Sequence, residues 1–323
     1  MRVTNIETYK LPGASNGIKR VFTPRRTEVL WCYLFILPFL IFFGALTIWP
    51  LVGTFVFSIY KVNATGKLDY FVGLKNYLSV FTDSTFLRSV VNTIFFTVAN
   101  TLIKLPLSLL LAILLTRRWL KGRTFFRTGF FLPLVIPSAI IGMIFIFLLN
   151  PANGAVNSFL MQLHLVARPI NFLSSRWMGM STIVVISVWG VLGQYIIYWM
   201  AALQSVPDEV YEAAEIDGAN ETQKLFFVTL PIIRPVATII LFLALVNGLQ
   251  VFDLVATLTS GGPGSQTFVV SYFIYSRGFA VAPPNYGLAS AASVLFGVAT
   301  LIAISIQGYF VTRAQRTQHD YGL

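Results

Sequence analysis

Long apolar segments are the feature that most restricts the folds open to this chain. A helix needs about 20 mostly apolar residues to cross a membrane, and six segments reach that length. They are residues 30–60, 90–116, 128–149, 178–203, 236–259 and 288–311. Only 11% of the 323 residues are charged, whereas soluble domains carry about 25%. The sequence therefore predicts an all-α polytopic membrane protein with six transmembrane helices.

The ends of the chain are predicted to be tails on either side of a six-span domain. We expect a poorly ordered tail at 1–29, a transmembrane domain at 30–312 and a second tail at 313–323. The first apolar segment is too long for a signal peptide and is predicted to be a retained span. It is also longer than one crossing requires, so Pro38 and Pro50 are expected to kink or tilt it.

Basic residues predict which way the chain is oriented. Fifteen Lys and Arg fall in the two tails and in the loops that follow the second and fourth segments. Seven fall in the loops on the other side, and Lys104 lies inside a segment. The positive-inside rule then places both termini in the cytoplasm. It also explains the net charge of +11, so no nucleic-acid partner is expected.

The loop at 205–235, called the acidic loop below, holds half of the acidic side chains of the protein. The chain has twelve Asp and Glu. Six of them lie within fourteen residues of this loop, namely Asp208, Glu209, Glu212, Glu215, Asp217 and Glu221. Because the loop is predicted to be cytoplasmic, this charge is either simply solvated or offered to a cytoplasmic partner.

Capping signals predict two short helices in the acidic loop. Ser205 with Asp208 three residues later has the form of a capping box, and Gly218 supplies a stop. Asn220 with Gln223 forms a second, weaker capping signal. The helix that Asn220 opens is expected to end before Pro231.

Metal and nucleotide sites are not expected in this chain. It has one cysteine, Cys32, and two histidines, His164 and His319, which are too few for a His/Cys metal site. No G-x-x-x-x-G-K-[ST] phosphate loop occurs, since the only Gly-Lys pair, at 66–67, is followed by Leu68. The chain alone is therefore predicted to hold no cofactor and to be no enzyme.

Polar side chains inside apolar segments are costly and are candidates for a substrate path. The candidates are Asn92, Lys104, Gln194, Tyr195, Tyr198, Asn247, Gln250 and Asp253. Hydrogen bonding between helices is the alternative role for the Asn and Gln residues, and for Asn100. Lys104 is expected to face water or to pair with an acid on another helix, for which Asp253 is the obvious partner.

Several motifs together resemble one family. Glu212-Ala-Ala-Glu-Ile-Asp-Gly-Ala219 followed by Leu230-Pro-Ile-Ile-Arg-Pro235 is similar to the EAA loop of ABC importer permeases, above all the carbohydrate permeases of the MalF type. Further similar segments are Phe71-Val-Gly-Leu-Lys-Asn-Tyr77, Asn92-Thr93, Leu132-Pro133, Leu149-Asn-Pro151, Val251-Phe-Asp253 and Thr259-Ser-Gly-Gly-Pro263. The resemblance covers the chain from about residue 30 onward. Thr222 and Leu225 depart from it, since the family often has aromatic residues there.

The resemblance implies the type I ABC importer permease fold, with the acidic loop as a cytoplasmic helix-turn-helix that couples to a separate ATPase. The implied coupling residues are Glu212, Ala213, Ala214, Asp217 and Gly218. ATP and magnesium would bind two ATPase subunits. The other implied partners are a second homologous permease, an extracytoplasmic solute-binding protein, membrane lipid and a carbohydrate. The implied location is the bacterial cytoplasmic (inner) membrane.

The charge of the outer loops bears on the substrate. The loops 61–89, 150–177 and 260–287 carry seven basic and two acidic residues. This charge suits an anionic substrate such as a uronate or alginate oligosaccharide, although lipid headgroups or an acidic binding protein explain it as well. Two other functions stay open: a secondary transporter driven by an ion gradient, and a membrane scaffold that recruits a cytoplasmic protein.

Overall fold

Helices dominate the structure. The computed structural model describes residues 26–117 and 120–320, so most of the predicted N-terminal tail lies outside the described residues. The chain divides into two compact units, one up to Val52 and one from Gly53 onward. Within the described residues, five helices are long and apolar enough to cross a membrane, and a strongly bent helix pair raises the number to six.

The first candidate span runs over Val29–Ile59, close to the predicted 30–60. It consists of α1 (Arg26–Phe43), a π-helical turn (Gly44–Ile48) and α2 (Trp49–Ile59). Pro38 lies inside α1, whereas Pro50 is the second residue of α2. Trp49 before it closes the π-helical turn, because its N–H bonds to the Gly44 carbonyl five residues back. A proline cannot donate to the carbonyl four residues earlier. The π-helical turn therefore accommodates Pro50 within a continuing helix.

The second unit contains the other candidate spans and the outer segments. A hairpin of β1 (Tyr60–Val62) and β2 (Leu68–Phe71) is its only sheet in the described residues, and the prediction of an all-α chain did not include it. The helices that follow are α3 (Lys75–Thr82), α4 (Ser84–Thr116), α5 (Arg123–Val135), α6 (Ser138–Leu148), α7 (Ala155–Gln162), α8 (Arg176–Leu203), α9 (Asp208–Ile216), α10 (Glu221–Gln223), α11 (Leu230–Leu249), α12 (Val270–Tyr275) and α13 (Tyr286–Asp320).

Helix α8 is at the centre of this unit and packs against α4, α5 and α11. Its side chains Met180, Ile183 and Tyr195 are almost completely buried. Gly193 lets the backbone of α5 come close, because a Cβ there would overlap the Phe130 carbonyl. In the same way, Gly142 of α6 lies directly against Thr257.

The third predicted span, 128–149, is not one continuous helix. Helices α5 and α6 meet at an angle of 98° at the break between them. Pro137 lies in this break, and Ile136 before it has an extended backbone with φ −84° and ψ 124°. The residue before a proline is driven out of the helical region by the proline ring. The apolar composition was thus read correctly, but the break was missed.

The fifth predicted span, 236–259, is wrong at both ends. One helix runs over Glu221–Leu249 without a stop. We had expected two helices here, a short one that begins at Asn220 and ends before Pro231, and the span itself. A π-helical turn (Lys224–Thr229) precedes Pro231 and accommodates it as the first turn accommodates Pro50. Residues 250–252 are not helical, and a short π-helical turn (Val255–Thr259) follows. The helix therefore starts at Glu221 instead of residue 236. It also ends at Leu249, before the predicted end at residue 259.

The other three spans agree with the sequence. Candidate spans Ser84–Thr116, Arg176–Leu203 and Tyr286–Tyr309 contain or nearly contain the predicted segments 90–116, 178–203 and 288–311. The backbone of α13 stays helical up to Asp320, so no structural boundary marks the predicted tail at 313.

Of the three capping predictions for the acidic loop, one was wrong and two are confirmed. Ser205 does not cap α9, because its hydroxyl donates to the Ala202 carbonyl at 2.7 Å and Pro207 takes the N-cap position. The capping box of Asn220 and Gln223 is complete, with bonds of 2.8 and 2.9 Å. Gly218 has a φ of +81°, as its predicted role as a helix stop requires.

Replacing Asn220 by alanine should expose the start of α10. Loss of an N-cap costs about 1 kcal/mol, so the Gln223 amide should exchange its hydrogen about fivefold faster. Hydrogen–deuterium exchange of the purified protein measures this. Ser205→Ala is the matched control and should leave the Val210 amide unchanged; faster exchange there would restore the capping role of Ser205.

Candidate functional site

A cavity lies among α4, α8 and the chain that follows α11. Its volume is about 200 Å³, and we call it the central pocket. Its polar lining consists of Asn100, Lys104, Ser138, Ser187, Gln194, Tyr195, Asn247, Gln250 and Asp253. Six of the eight predicted path residues are among them. Asn92 and Tyr198 are not.

The sequence builds the central pocket from two helix faces and one helix end. Asn100 and Lys104 are one turn apart on α4, so they share a face. Ser187 and Gln194 are seven residues apart on α8 and share a face for the same reason. The third side is the chain after Leu249, where the helix stops. Irregular backbone inside a span is tolerated where it lines a polar cavity.

Lys104 is buried in the pocket wall with only 2% of its surface exposed. Its Nζ lies 4.1 Å from the centre of the Tyr195 ring, a cation–π contact. Among residues 26–117 and 120–320 no carboxylate lies within 4.0 Å of Nζ. Of the two alternatives for Lys104, the ion pair with Asp253 is therefore not formed. Both charges nevertheless line the same pocket.

Tyr198 lies behind the pocket wall and holds its neighbours. Gln194 Nε2 donates to the Tyr198 hydroxyl at 2.7 Å. The Tyr198 ring meets the Tyr195 ring edge to face at 5.7 Å. On the other side, Asn247 Nδ2 donates to the Tyr195 hydroxyl at 3.4 Å. Tyr198 therefore orients two lining residues without lining the pocket itself.

Asn92 forms hydrogen bonds to the segment that precedes α12 and does not line the central pocket. Its side chain is fully buried. Nδ2 donates to the carbonyls of Gln266 and Phe268 at 2.8 and 2.7 Å. Oδ1 accepts from Arg176 Nε at 2.8 Å. These bonds correspond to the alternative of hydrogen bonding within the protein.

Three polar pocket residues are not among the eight path candidates: Asn100, which was considered for hydrogen bonding between helices, and two serines that the sequence reasoning missed. Ser187 and Ser138 are small and polar, and serine is ordinary in apolar segments. Ser187 could have been found from its helical spacing to Gln194. Ser138 could have been found only by recognising the break at Pro137, which brings it to the pocket.

The acidic loop presents four of its five predicted coupling residues at the surface. Glu212, Ala213, Asp217 and Gly218 are exposed. Ala214 is 8% exposed and packs inside the chain. Ile216 is the most exposed apolar side chain of the loop, at 87%. An exposed turn with an apolar tip and acidic flanks is suited to docking on another protein surface.

Comparison with known proteins decides the family. The family described as "Binding-protein-dependent transport system inner membrane component" matches residues 104–316. The chain belongs to this family. The matched residues include α8, α9 and α11, and hence the acidic loop and most of the central pocket. With five or six candidate spans, the permease is a multi-pass inner membrane protein.

Relatives and a solved structure agree with this assignment. The permease is 31% identical over 282 residues to the arabinooligosaccharides transport system permease protein AraP of Bacillus subtilis (strain 168), covering 86% of this chain and 88% of AraP. It is 33% identical over 272 residues to the trehalose/maltose transport system permease protein MalF of Thermococcus litoralis, covering 83% and 89%. These relatives are transport permeases and not enzymes.

The structural match is to a chain in the crystal structure of a bacterial alginate ABC transporter in complex with an alginate pentasaccharide-bound periplasmic protein. The TM-score is 0.77 at 25% identity, covering 89% of the permease and 96% of that chain. The predicted MalF-type resemblance and the predicted ABC importer permease fold are therefore confirmed.

Asn92→Ala should destabilise the permease without acting on the pocket. It leaves two carbonyls and one guanidinium N–H without their partner, and each unsatisfied buried group costs about 1–3 kcal/mol. Thermal unfolding in detergent should show a clearly lower midpoint. Asn247→Ala, which loses one bond of 3.4 Å, is the matched control. Equal midpoints for the two variants would contradict the assigned role of Asn92.

Proposed function

We propose that this permease forms half of the translocation path of an ATP-driven, binding-protein-dependent importer of a carbohydrate. The observation that carries the proposal is the central pocket of a member of this family. The pocket draws its polar groups from three candidate spans, through Lys104, Gln194 and Asn247. Such a cavity gives a polar solute a place inside an otherwise apolar helix bundle.

The chemistry of the pocket favours a sugar. Amide groups of Asn100, Gln194 and Asn247 and the hydroxyl of Ser187 supply both donors and acceptors. Tyr195 and Phe252 add aromatic surface. Convergent polar groups with aromatic walls match the alternating hydroxyl and C–H faces of a pyranose ring. The printed names of the relatives, which transport arabinooligosaccharides, trehalose or maltose, support the same class.

ATP would act through the acidic loop. The chain has no phosphate-binding loop, so two separate ATPase subunits would supply hydrolysis, and the exposed Glu212, Ala213, Asp217 and Gly218 would contact them. A second homologous permease would complete the path. The outer segments 61–89 and 260–287 would contact a solute-binding protein, as the periplasmic protein bound to the alginate transporter suggests.

The distribution of Lys and Arg supports cytoplasmic termini and a cytoplasmic acidic loop. In that orientation the ATPases would bind at the loop, and the substrate would enter from the face that carries the β1–β2 hairpin, α7 and α12. Alternating access would then require ATP to favour one conformation by a few kcal/mol.

Within the carbohydrates, an oligosaccharide with carboxylate groups fits the charge of Lys104 best. A buried ammonium group without a carboxylate partner is costly in a span, and a bound uronate would supply that partner. The alginate transporter provides a structural relative with an acidic substrate. Asp253 at the same pocket opposes this preference, so a neutral oligosaccharide is the competing choice.

Glu212→Lys and Gly218→Pro should each abolish coupling. Glu212→Lys reverses a charge on the exposed docking face. Gly218 has a φ of +81°, which proline cannot adopt, so Gly218→Pro changes the turn. Uptake by proteoliposomes that contain the complete complex should fall at least about tenfold, the effect of losing a charge pair at an interface. Membrane insertion should be unchanged.

Glu209→Lys, which makes the same charge change outside the predicted coupling residues, is the control and should have the smaller effect. Normal uptake in both test variants would contradict the coupling role. Uptake driven by a proton or sodium gradient without ATP would instead support a secondary transporter.

Lys104→Met should distinguish acidic from neutral substrates. It keeps an unbranched side chain of similar size, one atom shorter, and removes the charge. A charge-assisted hydrogen bond contributes about 1.5–3 kcal/mol, so the concentration of uronate oligosaccharide that half-maximally stimulates ATP hydrolysis should rise about tenfold or more. Stimulation by a neutral oligosaccharide should not change. Asp253→Asn is the opposite-charge control, and an equal response to both sugars in Lys104→Met would reject the acidic substrate.

A further inference from the structure

Two side-chain contacts join α9 to the start of the fifth span, the helix Glu221–Leu249. Lys224 Nζ donates to Glu215 Oε1 at 2.7 Å. One turn earlier on α9, the hydroxyls of Tyr211 and Thr229 are 3.0 Å apart. The two contacts connect the same two elements at separate points, so together they restrict rotation as well as separation.

The π-helical turn Lys224–Thr229 is what makes both contacts possible. Tyr211 and Glu215 are four residues apart and share one face of α9. Lys224 and Thr229 are five residues apart, and in an α-helix they would point about 140° away from each other. In a π-helical turn the N–H bonds to the carbonyl five residues back, so residues five apart lie on nearly the same face of the helix. Thr229 Oγ1 accordingly reaches the Lys224 carbonyl at 3.1 Å.

Lys224 is also the centre of a charged network. It pairs with Glu221 at 2.5 Å, and Glu221 pairs with Arg117 just after α4. The Lys224 side chain is 11% exposed, whereas the two acids are more than half exposed. Isolated surface pairs contribute little, but a network around a largely covered stem is better ordered.

The far end of the same helix reaches the central pocket. Asn247 is in its last turn and Gln250 follows it directly, and both line the pocket. The helix has no break between Glu221 and Leu249. Its start is fixed to α9, and its end forms a pocket wall.

We propose that Lys224, Tyr211 and Thr229 are positioning residues that make α9 and the fifth span one rigid body, so that a displacement of α9 moves the wall of the central pocket. The inference rests on the proposed function, since an ATPase has to displace α9. The π-helical register is then required for transport, in addition to accommodating Pro231.

Distances between spin labels test the rigid connection. In a Cys32→Ser background, labels at the exposed positions Glu209 of α9 and Ile239 of the fifth span form the first pair. The complete complex with its ATPases is measured in nanodiscs, without nucleotide and trapped with ATP and vanadate. We expect one narrow distance that is the same in both states. The variant Lys224→Met with Tyr211→Phe should lose this narrow peak.

Two controls accompany the double variant. Lys224→Arg keeps the charge and should retain the narrow peak. Lys121→Met makes the same substitution at an exposed lysine elsewhere in the chain and should also retain it. A narrow peak in the double variant would overturn the proposal.

A second label pair, Ile239 and the exposed Val185 of α8, separates this inference from the proposed function. In the unmutated complex, trapping with ATP and vanadate should shift the second distance, and the double variant should lose that shift while its ATPases stay bound. If the unmutated complex shows no shift, the coupling role of the acidic loop fails. If the unmutated complex and the double variant shift equally, coupling stands and the positioning role is overturned.

Discussion

The absence of water in the core of a bilayer is the constraint on which the structure depends. Each backbone polar group there has to find a partner in the protein, so a spanning helix is interrupted only where something else receives those groups. Two interruptions occur inside predicted spans, at Ile136–Pro137 and after Leu249. Both border the central pocket, through Ser138 and Gln250. Both helix breaks thus lie at the polar cavity, where backbone groups can be satisfied without a continuous helix.

The same constraint acts on side chains, with two different results on one helix. Asn92 of α4 is fully buried, donates hydrogen bonds to the chain before α12 and accepts one from Arg176. Lys104, three turns further along, lies over the Tyr195 ring. The polar groups of Asn92 stabilise the fold. The charged group of Lys104 lines the central pocket.

Four of the six spans could be predicted because the length of an apolar run is a local property of the sequence. The third and fifth spans could not be predicted in this way. Pro137 breaks a helix, whereas Pro231 and Pro235 lie within one. Only the backbone conformation before the proline distinguishes these cases, and the sequence does not show it. Ser205 has the spacing of a cap, yet its hydroxyl bonds to Ala202 instead. Most pocket residues were predictable from the cost of polar groups in a span. That Asn92 does not belong to the pocket could be seen only once the packing of the helices was known.

The two close glycine contacts assign the halves of the bent helix pair to different neighbours. Through Gly193, α5 is fastened to α8 by direct backbone contact. Through Gly142, α6 is fastened to the π-helical turn that follows the fifth span. The bend at Pro137 therefore lies between a half that packs on α8 and a half that packs on residues 255–259. A shift of residues 250–259 relative to α8 would therefore have to be taken up by backbone rotation at Ile136 and Pro137, if α6 keeps its contact with Thr257.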